Sequence, residues 1–268
     1  MQPRLGTGSV AQVLRLTDGR TARPVSLPPD GRRLVRLRAL PTLQSGAMGI
    51  DDVRVMVVAD VLRRALEVSR VVVVHAMGLP PTVPRELARG LERHLTAFNV
   101  HPPIAEDDGR ADVEVVPTGG AKGDANGDAG ARVEVARVRS LLTAPLPGGT
   151  PGDAPEADPL ALRLALLAHP YREPVELTPD AVAEAALSLA SWRAQVAGWA
   201  RSSSAPVSES LQAEARAALD ADLDTPSLLA LLDLIGTTAD LPDGARFEAL
   251  VWMDRLLGLD LARDLGSG

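Results

Sequence analysis

Asp51-Asp52-Val53-Arg54-Val55-Met56-Val57-Val58-Ala59-Asp60-Val61-Leu62-Arg63-Arg64-Ala65-Leu66-Glu67-Val68-Ser69-Arg70-Val71-Val72-Val73-Val74 carries two hydrophobic patterns in succession, and the change from one to the other sets the fold. Up to about Val68 the residues Val57, Val58, Val61, Leu62 and Leu66 recur at the spacing of a buried helical stripe. Asp51 and Asp52 fall in the first turn of that helix, where the positive end of its dipole favours carboxylates. Val71-Val72-Val73-Val74 is then apolar without interruption, as expected of a strand inside a parallel sheet. Upstream, Arg33-Leu34-Val35-Arg36-Leu37-Arg38-Ala39-Leu40 alternates with a two-residue period. Strand, helix and strand in this order make a βαβ unit. A second helix over about Val83 to Phe98, with Pro84 in its first turn, extends the unit into a Rossmann-like layer.

Working outward, Val10-Ala11-Gln12-Val13-Leu14-Arg15-Leu16 reads as an earlier strand, separated from 33–40 by turn material that includes Pro28-Pro29-Asp30-Gly31. Val113-Glu114-Val115-Val116 and Arg132-Val133-Glu134-Val135-Ala136-Arg137-Val138 alternate as strands on either side of a glycine-rich segment. They read as a hairpin or as two adjacent strands, with a flexible loop at 117–131. Pro145 to Pro159 is rich in proline and glycine and reads as a linker at a domain boundary. Beyond it the spacing predicts helices near 159–168, 179–201, 207–220, 225–235 and 244–258. Thr178-Pro179-Asp180 and Asp224-Thr225-Pro226 mark two of the starts, each with a capping residue and a proline in the first turn. The result is α/β followed by a helical bundle.

Composition narrows the function classes. A chain of 268 residues with 46% hydrophobic content can bury substantial cores, while 24% charged residues argues against disorder. Aromatic residues make up only 2%, so stacking platforms for single-stranded nucleic acid are scarce. The absence of cysteine excludes disulfides, thiolate metal ligands and a cysteine nucleophile. No stretch approaches the ~20 apolar residues of a membrane span, and the start lacks the apolar run of a secretory signal. A cytoplasmic protein without membrane contact is expected. The formal net charge of -7 is unevenly spread: residues 159–268 hold eight Arg against sixteen Asp and Glu. That acidic half repels a polyphosphate backbone. Lys122 is the single lysine.

Three stretches carry a family resemblance. Leu162-Arg163-Leu164-Ala165-Leu166-Leu167-Ala168-His169-Pro170-Tyr171-Arg172-Glu173-Pro174-Val175 is similar to the passage from catalytic core to helical stem in cysteinyl-tRNA synthetases and their mycothiol-ligase relatives, which ends in a Tyr-Arg-x-Pro pattern. Leu219-Asp220-Ala221-Asp222-Leu223-Asp224-Thr225-Pro226 is similar to the acidic DDLNTP element that opens a helix in the family's C-terminal domain. Val58-Ala59-Asp60-Val61-Leu62-Arg63-Arg64 is similar to the AFDVIRRYL helix after the first catalytic motif. The segment from Leu14 through Leu40 has the layout of the family's N-terminal hairpin. The resemblance implies a truncated Rossmann-like (HUP-type) domain at 1–148 with an N-terminal β-hairpin. It further implies a helical stem and anticodon-binding-like bundle at 159–264.

The same resemblance implies a degenerate pocket. Registered on Asp60, the family's HIGH motif falls on Gly49-Ile50-Asp51-Asp52, without either histidine. Carboxylates there meet the negative charge that develops on a phosphoryl group, and like charges at ~4 Å cost about 4 kcal/mol at an effective dielectric near 20. About 1.4 kcal/mol is already tenfold in rate. The first zinc-binding cysteine aligns with Leu40, small substrate-pocket residues correspond to Pro41 and Leu43, and no KMSKS loop is found. His75, His94, His101 and His169 share no metal-ligand spacing and read as single surface or loop histidines. Asp220, Asp222 and Asp224 lack the glycine and glutamate of a calcium loop and read as helix-start residues. Trp192 and Trp199 have core or interface spacing. No catalytic residue, metal ligand or cofactor is expected; Gly49, Ile50, Asp51, Asp52 and Arg54 are the pocket candidates.

Three functions follow. The first is a non-catalytic binding or regulatory module, a pseudoenzyme. The second is an ATP- or aminoacyl-tRNA-dependent ligase with an altered site built on Asp51, Asp52 and Arg54. The third is a non-catalytic tRNA-binding protein, disfavoured by the acidic helical half. A protein partner or homo-oligomer is expected to cover an open sheet edge.

Overall fold

The computed structural model describes residues 14–43, 48–79, 83, 85–119, 130–142, 158–238 and 240–266. Strands β1 (Leu14–Thr17) and β2 (Pro24–Leu27) form an antiparallel hairpin with Leu14 opposite Leu27. The central sheet follows through β3 (Leu34–Ala39), α1 (Ile50–Val68), β4 (Val72–Met77), α2 (Arg85–Ala97), β5 (Val113–Pro117) and β6 (Ala131–Val135). Its order is β4-β3-β5-β6, and all three pairings are parallel. A small parallel pair, β7 (Val138–Ser140) and β8 (Val175–Leu177), joins it to the helices α3 (Pro159–Leu167), α4 (Pro179–Trp199), α5 (Glu209–Asp220), α6 (Thr225–Thr237) and α7 (Asp243–Leu257). The architecture is a Rossmann-like parallel sheet with helices, followed by a helical C-terminal part. Among the described residues no helix is long and apolar enough to cross a membrane.

Local chemistry explains most boundaries. Asp158, Thr178 and Asp224 each accept a backbone N–H of the helix they open, with Pro159, Pro179 and Pro226 in the first turns. Such caps contribute about 1 kcal/mol each. Gly258 ends α7 in the left-handed region at φ 65. A β-carbon there would come within 2.8 Å of the Arg163 guanidinium, so the position needs glycine for both its backbone angle and its space.

Several expectations are corrected. Of the two readings of 113–116 and 132–138, adjacent strands holds and the hairpin does not, because the pairing is parallel. Alternation reports which residues face inward, not the direction of the neighbouring strand. The second run also divides: Val135 closes the main sheet, Ala136 donates its N–H to the Tyr171 carbonyl at 2.8 Å, and Val138 starts the other sheet. Segment Pro24–Leu27, to which periodicity assigns no element, is the second strand of the N-terminal hairpin. The glycine-rich loop and the proline-rich linker fall mostly outside the described residues, as does the start of the first strand. His75 and His94 are buried, not surface histidines. His75 occupies an inward position of β4, paired with the inward Leu37 of β3, and strand period overrides the polarity of the ring.

The sheet edges expected to be open are partly closed by the chain itself. Ile104 and Ala105 donate to the His75 carbonyl along the free side of β4. On the far side Gly19 donates to the Arg132 carbonyl at 2.7 Å, and the Arg132 N–H returns to Asp18. Leu34 and Val72, paired at the start of β3 and β4, remain exposed.

Helix α1 is buried from Asp52 through Leu66 and packs on the sheet on one side and on α3 and α7 on another. Its polar residues therefore lie inside the molecule. Asp60 is fully buried and accepts from Arg163 at 2.8 Å, Arg64 at 2.7 Å and Arg63 at 3.0 Å. Arg163, also fully buried, donates further to the carbonyls of Leu257 and Phe98. Arg64 donates to Asn99, whose amide nitrogen donates to Gly258. Burial alone would raise the Asp60 pKa, but Arg163, His101, Arg64 and Arg63 outweigh it and hold the carboxyl well below the usual range. One carboxylate thus ties α1 to α3, to the chain after α2 and to the end of α7.

Two predictions follow from this core. Removing one member of a buried pair strands the other, so Asp60→Asn and Arg163→Met are each expected to cost about 3–5 kcal/mol. The double variant should lose less than the sum by about 1–3 kcal/mol in urea unfolding; additive losses would remove the coupling. The second concerns His75, whose ring nitrogens have no hydrogen-bond partner among the described residues. Burial lowers its pKa from 6.5 to about 4. Between those values the unfolded chain takes up the proton and the folded chain does not, so stability is present above pH 6.5 and is lost as pH falls toward 4. At ~1.4 kcal/mol per pKa unit the loss is up to about 3 kcal/mol. His75→Leu should flatten this acid limb in pH-dependent melts; parallel profiles for the two proteins would exclude His75 as its origin.

Candidate functional site

In an open parallel sheet the crevice for a ligand lies beyond the carboxyl ends of the strands, where the chain turns to opposite sides. Here that point is between β3 and β5, because the chain leaves β3 toward β4 on one side and returns to β5 on the other. Leu40 is held there by its N–H to the Val115 carbonyl at 2.9 Å, and the N-terminus of α1 follows at Gly49. The candidates Gly49, Ile50, Asp51, Asp52 and Arg54 all lie at this helix mouth. Their side chains are engaged in ways the sequence did not indicate.

Asp52 is buried and acts inward. Its Oδ1 accepts the Thr42 N–H at 2.7 Å and the Thr42 hydroxyl at 3.0 Å, while Oδ2 accepts the Gly49 N–H at 3.0 Å. It therefore fastens the segment after β3 to the start of α1 and forms the carboxylate half of a capping box. Asp51 accepts the Val138 N–H at 2.6 Å and anchors β7. Arg54 donates to the carbonyls of Ala136 at 2.8 Å, Glu173 at 2.7 Å and Pro170 at 2.9 Å. Burial pulls its pKa down to about 10, with Asp51 and Glu173 opposing. Gly49 is exposed, and Ile50 is partly buried against the core.

Arg54 thus grips the Tyr171-Arg172-Glu173-Pro174 loop from inside. The Tyr171 hydroxyl donates to Asp222 at 2.6 Å, and Asp222 also accepts the Thr17 N–H at 2.7 Å. Burial and the Asp222 carboxylate push the Tyr171 hydroxyl pKa far above its ordinary range. Of the three acids read as helix-start residues, Asp224 caps α6 while Asp222 joins the hairpin, the Tyr171 loop and the bundle. Trp192 is core and donates its indole N–H to Asp233 at 2.9 Å; Trp199 lies under the Arg246 guanidinium at 5.3 Å.

Below this mouth, Arg54, Val57, Val61, His169, Tyr171 and Thr225 help line a cavity of about 10 Å³. That is room for about one water, too little for a substrate. Among the described residues no group of three or more His, Asp or Glu side chains could share a metal ion. Sequence reasoning missed a second polar centre, where Arg63, Arg64, Glu67, Val68, His101 and Arg255 line a cavity of about 240 Å³ at the other end of α1. The available signal was an aspartate followed at three and four residues by arginines inside an apolar helix.

No protein-family model matches the chain. Similarity to curated proteins is nevertheless clear. The L-cysteine:1D-myo-inositol 2-amino-2-deoxy-alpha-D-glucopyranoside ligase of Streptosporangium roseum is 43% identical over 112 residues, which is 40% of this chain and 26% of that protein. The ligases of the same name from Thermobispora bispora and Acidothermus cellulolyticus are 46% identical over 108 residues and 44% identical over 106 residues. The chain spans about a quarter of the length of these relatives. The Rossmann-like sheet followed by helices agrees with the resemblance drawn from the three sequence stretches. With about 40% identity across about 40% of its length, the chain is related to the cysteinyl-tRNA synthetase and mycothiol ligase family.

Proposed function

We propose that this chain is a non-catalytic binding or regulatory module built on a ligase scaffold. One observation carries the reading: the polar groups at the mouth of α1 are committed to the protein's own main chain. Asp51 holds Val138, Asp52 holds Thr42 and Gly49, and Arg54 holds three carbonyls. A catalytic group must be free to meet its substrate at hydrogen-bond distance. Two carboxylates in the first turn also oppose the anion that a bare helix N-terminus would attract. Loss of the HIGH histidines, the zinc ligands and the KMSKS loop, as implied by the sequence resemblance, supports the same reading.

A second reading keeps the chemistry of the relatives. Their name describes joining L-cysteine to an amino sugar, and identity above 40% favours a ligase with an altered site. A tRNA-binding role has less support, because residues 159–268 carry sixteen acidic residues against eight arginines.

ATP–pyrophosphate exchange with L-cysteine and the other amino acids separates the first two readings. The expected result is no exchange above an enzyme-free control; turnover with any amino acid would overturn the proposal in favour of the ligase. Tight, strongly salt-dependent tRNA binding in a gel shift would favour the third. Asp51→Asn and Asp52→Asn are expected to lower stability by about 1–2 kcal/mol each through weakened charge-assisted bonds. Unchanged unfolding midpoints for both would remove the structural role assigned to them.

A further inference from the structure

The cavity at the C-terminal end of α1 has no role in the function proposed above. Arg64 lies about 20 Å along the helix axis from Ile50 at ~1.5 Å per residue, so this cavity is separate from the helix mouth. We propose that it is a binding site for a small phosphate- or pyrophosphate-bearing ligand, held by Arg255 together with Arg63, Arg64 and His101.

The donors here outnumber the acceptors. Arg63 pairs with Glu67 and Asp60, yet its Nε is buried without a partner among the described residues. Arg64 spends Nε on Asp60 and Nη2 on the Asn99 carbonyl, and its Nη1 reaches the Arg255 carbonyl only at 3.4 Å. The His101 Nδ1 lies 2.8 Å from Arg63 Nη2 and 3.2 Å from Arg64 Nη2. The same Nδ1 lies 3.5 Å from Asp60 Oδ1, so it is engaged inward with the Asp60 cluster and the outer part of the ring borders the cavity. The ring is about half exposed. Arg255 is exposed, lines the cavity, and its guanidinium has no ion pair or hydrogen bond among the described residues.

Charge points the same way. Three guanidiniums face the cavity against one carboxylate, Glu67, which is already paired with Arg63. Asp60 lies behind them and is matched by the fully buried Arg163. An arginine near the end of a helix often serves only the helix dipole. At the end of α7, however, the Leu257 carbonyl is taken by Arg163, and Gly258 supplies the cap. Arg255 is not needed for either. Guanidinium forks match phosphoryl oxygens, and a volume of about 240 Å³ holds a phosphoryl group with a substituent. The formal charge of -7 on the whole chain repels a long polyanion but leaves a local positive hollow open to a compact one.

Isothermal titration of the full chain with inorganic pyrophosphate and with inorganic phosphate tests this directly, at constant ionic strength set with sodium chloride. Saturable binding at one site is expected, tighter for pyrophosphate. Arg255→Glu should weaken it by about tenfold or more, equivalent to ~1.4 kcal/mol. Glu67→Gln should strengthen it severalfold by removing the opposing carboxylate. The Arg255 guanidinium has no ion pair or hydrogen bond to lose among the described residues, and an unchanged thermal midpoint for Arg255→Glu shows that its fold is intact. Heats that never saturate, or equal affinity in Arg255→Glu and the parent protein, would overturn the proposal. Because the readout is binding at the far end of α1, it is independent of whether amino-acid activation is found at the helix mouth.

Discussion

Asp60 is a carboxylate withdrawn from water at the centre of the molecule, and the packing of the helical part on the sheet depends on how its charge is met. Stripping an ion of solvent costs several kcal/mol, which a single partner seldom returns. Here three arginines from two helices converge on it, and each carries the contact onward: Arg163 to the end of α7, Arg64 to Asn99, Arg63 to Glu67. Carbonyls left over at helix ends thereby find donors without water. Gly258 and Asn99 complete the joint, the one by leaving space for the guanidiniums and the other by bonding across it.

Asp60 lies near the middle of α1, and the two ends of the helix on either side of it differ in polar character. The N-terminal end is closed: its acids and Arg54 stitch together the segment after β3, β7 and the Tyr171 loop. The C-terminal end is cationic and open, with Arg255 exposed beside the cavity. In the usual parallel α/β sheet the helix mouth beyond the strand ends receives the ligand; here the polar side chains at that mouth bond to the chain itself. Kinship with cysteine ligases and commitment of the mouth residues to scaffolding are compatible, because a fold persists through packing while chemistry requires free groups in place.

Much of the fold was legible from periodicity. The uninterrupted Val71–Val74 run, the stripe of α1 and the proline-marked helix starts each report a local pattern, and local patterns determine which elements form. Strand direction was not legible: β5 and β6 alternate as a hairpin would, yet run parallel. Nor was the division of 132–138 between two sheets, which depends on the Tyr171 carbonyl 35 residues away in sequence. The polarity of a histidine likewise says little about where it lies once strand period turns it inward, as with His75.

The sequence alone determined the α/β-then-helical order, the absence of cysteine chemistry, the acidic C-terminal half and the position of the helix mouth at Gly49 to Arg54. These are properties of composition and short-range spacing, set by the chain wherever it folds. Only the tertiary structure decided what Asp51, Asp52, Arg54 and Asp60 do, because each is defined by partners distant in the chain: Val138, Thr42, Pro170 and Arg163. A buried charge is stable only with partners placed around it in three dimensions, and that placement is a property of packing that no local pattern encodes.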